Sequence, residues 1–201
     1  MGLCMSKTAK FDRQQVIDKA TNLYWKKGFH ATSMRSLQDE IDMRPGSIYA
    51  AFGSKDGLFT EALRHYTDMA LAHLTLCRSK HSSPIEALKA FVKIQVIDTK
   101  DDAPNGMCML AKTIGELTED NQNLIDTTKA YLGEIANQFV NLIEEAQAMG
   151  EIDKDKDSSD LSNRVQIQIA GLRTFAKIDD DKNKLDAMIE DIFSHYPFKK
   201  D

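Results

Sequence analysis

Arg44-Pro45-Gly46-Ser47-Ile48-Tyr49-Ala50-Ala51-Phe52 is the stretch of this chain whose residue types and spacing point first to chemistry. Ile48 and Phe52, four apart, turn one face of a short helix inward, which leaves Arg44, Gly46, Ser47 and Ala50 outside. Small side chains let a backbone approach base-pair edges, and an arginine at the leading end reaches guanine O6 and N7 in bidentate fashion. Tyr49 keeps a hydroxyl for a phosphate. Pro45 suits a first helical turn, where its missing N–H would have been unpaired. Gly53-Ser54-Lys55-Asp56 then reads as a turn and a new helix start, whose free N–H groups beside Lys55 form a phosphate clamp. The expected chemistry is recognition of duplex DNA.

A second constellation is Gly106-Met107-Cys108-Met109-Leu110-Ala111-Lys112. Buried free cysteine, serving as a small hydrophobe, is the commoner role for such a residue and the leading reading of Cys108; the alternative is a thiol near a helix N-terminus and within reach of Lys112, with a lowered pKa and nucleophilic character. Bond-making chemistry beyond that finds no support. The five histidines show no HExxH pairing, and there is no Gly-rich phosphate loop or GxSxG elbow, so neither a catalytic residue nor a cofactor is expected. Cys4, Cys77 and Cys108 stand at no metal-like spacing, so no metal is expected, and a reducing, cytoplasmic setting fits them.

The elements that must position these residues are helices. With 42% hydrophobic and 28% charged residues in 201, the composition is that of a globular chain, and its apolar residues recur at intervals of three and four. An all-α fold follows. Val16, Ala20, Leu23 and Tyr24 stripe a first helix over residues 12–27 that Gly28 stops, and Ser33 caps a short second helix carrying Met34, Leu37 and Ile41. With the Pro45 helix these form a three-helix helix-turn-helix head whose second short helix enters the major groove. Further stripes begin at Leu58, at Pro84, at Leu110, at Leu124 and at Leu161, and the last runs from Leu185 to Phe193. The expected organisation is a flexible arm over 1–10, a DNA-binding head over 11–56 and a helical ligand-binding and dimerisation domain over 57–201.

The net charge of −5 argues against a nucleic-acid binder until it is divided. Residues 1–65 carry 10 basic against 7 acidic residues, net +3; of the totals of 26 and 31, this leaves 16 against 24, net −8, behind. That polarity favours a local reader over an architectural or non-specific DNA-coating protein, which needs a far larger basic surface.

Gly28-Phe29-His30-Ala31-Thr32-Ser33-Met34-Arg35-Ser36-Leu37, Gly46-Ser47-Ile48-Tyr49-Ala50-Ala51-Phe52 and Lys55-Asp56-Gly57-Leu58 together resemble the DNA-binding domain of the tetracycline-repressor (TetR) family. The resemblance implies a homodimeric regulator, in most cases a repressor, that binds a palindromic double-stranded operator and lets go when a small-molecule effector binds. It implies that Ser33, Tyr49 and Lys55 hold phosphates and that Arg35, Arg44, Pro45, Gly46, Ser47 and Ala50 lie at or near base edges. Ala51 departs from the His or Tyr that many members carry there. The two C-terminal helices are implied as the dimer contact, an isologous four-helix arrangement. Met69, His73, Cys77, Met107, Cys108, Met109, Tyr131 and Phe139 are candidates to line the effector pocket, because polarizable side chains suit adaptable apolar sites. The Gly106–Lys112 segment is weakly similar to electrophile-sensing members, the repressors of N-ethylmaleimide reductase, in which a Gly-Cys pair with a downstream Lys senses reactive carbonyls or oxidants; that assigns Cys108 and Lys112 as a redox-sensing pair.

Overall fold

The computed structural model describes residues 11–98, 106–195 and 197–199. Nine α-helices and no strand occur among the described residues: α1 Arg13–Lys27, α2 Met34–Ile41, α3 Pro45–Phe52, α4 Lys55–Lys80, α5 Pro84–Val96, α6 Met109–Glu116, α7 Gln122–Met149, α8 Ser158–Phe175 and α9 Lys182–Ser194. The expected N-terminal arm, with Cys4, lies outside the described residues.

Local chemistry sets the ends of the helices in the head. Asp12 accepts from the Gln14 and Gln15 amides to start α1, and Gly28 ends it at φ 89°, a left-handed value that costs glycine little. Ser33 caps α2 by accepting from the Ser36 amide; α2 ends at Asp42 at φ 52°, a region Asp tolerates better than most residues. Pro45 opens α3, and Ser54 caps α4 through the Gly57 amide. The stripe read from Leu58 to Met69 continues without interruption to Lys80, so α4 runs from the head deep into the body. The expected boundary at residue 56 falls in the first turn of this helix.

Two buried cores follow from these stripes. In the head, Ala20, Tyr24, Leu37, Ile48, Phe59 and Leu63 pack together, with Phe59 in ring contact with Tyr24 and Phe29 at centroid distances of 4.7 and 4.9 Å. That core also takes in Met109, Leu110 and Leu117 from α6 and its end, and Leu124 from α7. The second core, built on Leu88, Phe91, Phe139, Ile143, Leu172 and Ile189, ties α5, α7, α8 and α9 together. Each such side chain contributes about 1.5–3 kcal/mol on burial, so Met109 and Leu110 tie α6 to the head's core.

Candidate nucleic-acid interface and effector cavity

α3 buries Ile48 and Phe52 and turns Arg44, Pro45, Gly46, Ser47, Tyr49 and Ala50 outward. The inward face is fixed on one side by Arg13, whose guanidinium lies 4.5 Å from the Phe52 ring centroid and donates to the Ala51 carbonyl at 3.2 Å. Tyr49 is a large aromatic left 51% exposed. A β-carbon at Gly46 would meet nothing within 4 Å, so the folded chain itself does not demand glycine there; the open space lies on the outer face. Arg35 and Arg44 are exposed, and their guanidinium groups make no hydrogen bond or ion pair with the described residues. Ser33 is exposed at the N-terminus of α2, where its hydroxyl is occupied as the cap at 3.1 Å from the Ser36 amide.

Lys55 differs from its expected setting. Its Nζ donates to the Phe29 carbonyl at 2.6 Å and lies 4.1 Å from the Phe29 ring centroid, and burial lowers its pKa, partly offset by Asp56 and Glu116. The ammonium therefore braces the α1–α2 turn, because the aromatic face and the carbonyl together replace the water it loses.

Between α4, α5, α6, α7 and α8 lies a cavity of about 350 Å³. Phe91, Leu132, Ile135, Phe139 and Ile169 give it apolar walls, and Tyr66, Gln95, Cys108 and Arg173 bring polar atoms to it. Of the residues expected there, Cys108 and Phe139 line it. Met69 and His73 line an adjoining recess that shares Tyr66, Ala70 and Gln95 with the cavity. The others are placed elsewhere. Cys77 is buried in the body core, where burial raises its pKa; Tyr131 lies under the Arg64 guanidinium at 4.7 Å; Met109 is in the head core; and Met107 offers its backbone carbonyl to Trp25. The sequence reading passed over Tyr66, Gln95 and Arg173. A signal existed for Arg173: it stands four residues after Ile169 and three before Ala176, on the inward stripe of α8, where a cation is out of place.

α6 joins cavity and head. Cys108 and Ala111 line the cavity, while Lys112 and Glu116 turn toward the α1–α2 turn. Lys112 Nζ donates to the Trp25 and Lys26 carbonyls at 3.1 and 3.0 Å, at the C-terminal end of α1 where a cation is favoured, and burial lowers its pKa. Its ammonium is thus committed to α1 rather than to the Cys108 thiol one turn away. Glu116 accepts from the Phe29 and His30 amides at 3.1 and 2.7 Å, and Trp25 Nε1 donates to the Met107 carbonyl at 2.6 Å. The Cys108 thiol neighbours Tyr66, whose pKa is raised by burial and by Cys108 and lowered by Arg173.

Two family models match the chain: "Bacterial regulatory proteins, tetR family" over residues 16–62, and "Tetracyclin repressor-like, C-terminal domain" over residues 84–192. The HTH-type transcriptional repressor ComR of Escherichia coli (strain K12) is 29% identical over 169 residues, 83% of this chain and 80% of that protein. The repressor BdcR of the same organism is 44% identical over 57 residues, 28% of this chain and 29% of that protein. Among solved structures, a cysteine mutant of the TetR family transcriptional regulator CifR, complexed with 26-bp double-strand operator DNA, superposes with a TM-score of 0.83 at 27% identity, covering 94% of this chain and 98% of that one. With both its reading head and its helical body matched, the chain belongs to the TetR family of bacterial transcriptional regulators.

Proposed function

We propose that this regulator, which is not an enzyme, is a repressor that binds a palindromic operator as a homodimer and is released by an effector entering the cavity between α4 and α8. The observation that carries the DNA-reading half is the outer face of α3: an unpaired Arg44 at its leading end, then Pro45, Gly46, Ser47 and Ala50 with no bulk between them and a base edge, and Tyr49 beside them. Arg35 joins the base-edge set, and Ser33 and Tyr49 contact phosphates. Lys55 reaches a phosphate only by giving up the Phe29 carbonyl. The reading head spans 11–56 and the sensing and dimerising body 57–201, with α4 continuous between them. ComR is a transcriptional repressor, and CifR was captured on operator DNA; both support the same assignment here.

Dimerisation runs through α8 and α9. Ile167 is 68% exposed and Ile178, just past α8, 82% exposed, with Met188 of α9 half-exposed beside them in sequence order. Bare isoleucines at that level mark a surface that a second copy covers. Two heads about one DNA turn, roughly 34 Å, apart then read a two-fold symmetric site. The working compartment is the cytoplasm, where the DNA is; no described helix is long and apolar enough to cross a membrane.

Release follows from α6. An effector pressing on Cys108 and Ala111 moves the helix whose Lys112 and Glu116 hold the end of α1, and the heads leave the spacing the operator requires. A thiol-reactive effector would reach Cys108 from the same cavity. Selection of bound sequences from random duplex by the purified protein tests the whole: a recovered inverted repeat bound far more tightly than random duplex at equal salt supports it, and equal affinities overturn it.

A further inference from the structure

Arg173 is a cation in the wrong place for a folded chain left to itself. It is 4% exposed, and none of the ion pairs among the described residues includes it. Its partners are all neutral: Nε donates to the Gly106 carbonyl at 3.2 Å, and Nη1 to the Tyr66 hydroxyl at 3.3 Å and to Gln95 Oε1 at 3.4 Å. The Trp25 ring, at 6.0 Å from the guanidinium carbon, adds a weak cation–π contact. Nη2 donates to no described residue. Neutral dipoles compensate a buried charge only in part, and a buried guanidinium is ordinarily matched by a carboxylate. Here the cavity lies where that carboxylate would be.

We propose that Arg173 is the anchor of an anion subsite, and that the effector of this protein is a small organic carboxylate with an apolar body. The proposal rests on the reading of this cavity as the effector site and names the chemistry of what enters it. The guanidinium supplies charge and a spare Nη2 donor. Tyr66 accepts from Nη1 and shares a hydrogen bond with Cys108; its raised pKa keeps its proton in place, and a carboxylate, a far better acceptor than a thiol sulfur, draws that proton away from Cys108. Two donors converging on one end of a cavity suit the two oxygens of a carboxylate. Beyond these, Gln95, Gln166 and Cys108 add neutral polar atoms, and the walls made by Phe91, Leu132, Ile135, Phe139 and Ile169 suit hydrocarbon. At about 350 Å³ the space is at the small end of ligand sites, enough for one ring system or a medium chain and too apolar for a bare phosphate. The anchor is also wired to the head. Arg173 holds the Gly106 carbonyl, and the next residue's carbonyl holds Trp25 of α1. A carboxylate drawing the guanidinium toward itself loosens the segment that steadies α1.

The test is calorimetric titration of the full chain with decanoate beside decanamide and with naphthalene carboxylate beside its amide, inorganic phosphate serving as control, together with operator release by each compound. The expected result is that each acid binds about ten- to a hundredfold more tightly than its amide, the effect of one charge-assisted hydrogen-bond pair. Arg173→Met should erase that preference while still binding the amides, and Arg173→Lys should retain part of it. The wild-type comparison needs no variant, so a misfolded Arg173→Met protein does not spare the proposal. Acids and amides binding equally and releasing operator equally would overturn the anion subsite and leave the effector cavity standing. Phosphate binding as well as the acids would overturn the apolar-carboxylate assignment. If no compound of either kind bound, the subsite and the effector reading of the cavity would both fall.

Discussion

Glu116→Ala should uncouple α6 from the reading head. The carboxylate accepts from two backbone amides of the α1–α2 turn, Phe29 at 3.1 Å and His30 at 2.7 Å. The Phe29 amide is partly buried, so losing a charged acceptor there costs about 2 kcal/mol, whereas the His30 amide is exposed and water replaces most of its loss, leaving about 1 kcal/mol or less. The sum, about 2–3 kcal/mol, corresponds in a chain of this size to a fall in Tm of about 4–12 °C. Gly28 supplies an independent route to the same contact. A β-carbon on Gly28 would stand well inside van der Waals contact with Glu116 Oε2, at a φ of 89°. Gly28→Ala therefore evicts the carboxylate, with the same loss of about 2–3 kcal/mol, and adds about 1–2 kcal/mol for placing a β-carbon in the left-handed region. Once Glu116 is already alanine, only the backbone strain remains to be paid. Combining the two substitutions should then cost about 3–5 kcal/mol rather than the simple sum of the single losses, a coupling of about 2–3 kcal/mol in a double-mutant cycle read by denaturant unfolding. Operator affinity measured by fluorescence anisotropy should fall in both single variants. Additive losses within about 0.5 kcal/mol would refute the reasoning, because they would mean that the carboxylate is not seated against Gly28 in solution.

Arg44→Ala should relax base preference at one position of each operator half-site, seen as a degenerate column after selection from random duplex, at a cost of about 1–3 kcal/mol for the preferred site. Lys55→Ala should lower both Tm and affinity for every duplex, because its ammonium braces the Phe29 carbonyl; an unchanged Tm with weakened binding would mean that Lys55 is a plain phosphate contact. Ile167→Glu combined with Ile178→Glu should give a monomer in sedimentation and abolish operator binding, since a charge on each exposed isoleucine cannot be buried unpaired. Hydrogen bonds from Lys93 and then Lys89 hold the Glu190 carboxyl below its ordinary value of 4.5, so the folded state favours the ionised form. The stabilisation is present above that value and is lost as pH falls through the lower folded one. Thermal unfolding from neutral to acid pH should show Glu190→Gln flattening the acid limb by about 1 kcal/mol or less, as fits a solvent-screened pair.

The head was legible because each of its decisions is local. Ser33, Gly28, Pro45 and Ser54 cap or stop helices through contacts within four residues, and the apolar stripes between them have one partner available. The outward face of α3 then follows from Ile48 and Phe52 alone. The cavity was legible only in part, because its lining is assembled from five helices far apart in the chain. Polarizability picked Cys108 and Phe139, and equally picked Cys77, Met107 and Tyr131, which tertiary packing sends elsewhere. The same holds for Lys112. Its spacing from Cys108 suggested a pair, but the α1 carbonyls that take its ammonium lie 86 and 87 residues away in sequence, beyond any local pattern.

The way the cores are divided bears on how a body can control a head at all. A reader with a closed core of its own would be indifferent to movements behind it. Here the head's core is completed by Met109, Leu110, Leu117 and Leu124, so part of what keeps Phe59 and Tyr24 packed is carried on α6 and α7. Interiors packed at crystal density do not deform smoothly, and a displaced α6 must be followed by a second arrangement of the residues it supports. Releasing DNA tenfold requires a difference of only about 1.4 kcal/mol between the two arrangements. The Glu116 contact alone is of that size, and the Lys112 and Trp25 contacts act on the same few residues at the end of α1. On the proposed release through α6, three attachments converging on one turn mean that an effector need not break the head, since weakening one of them would be sufficient.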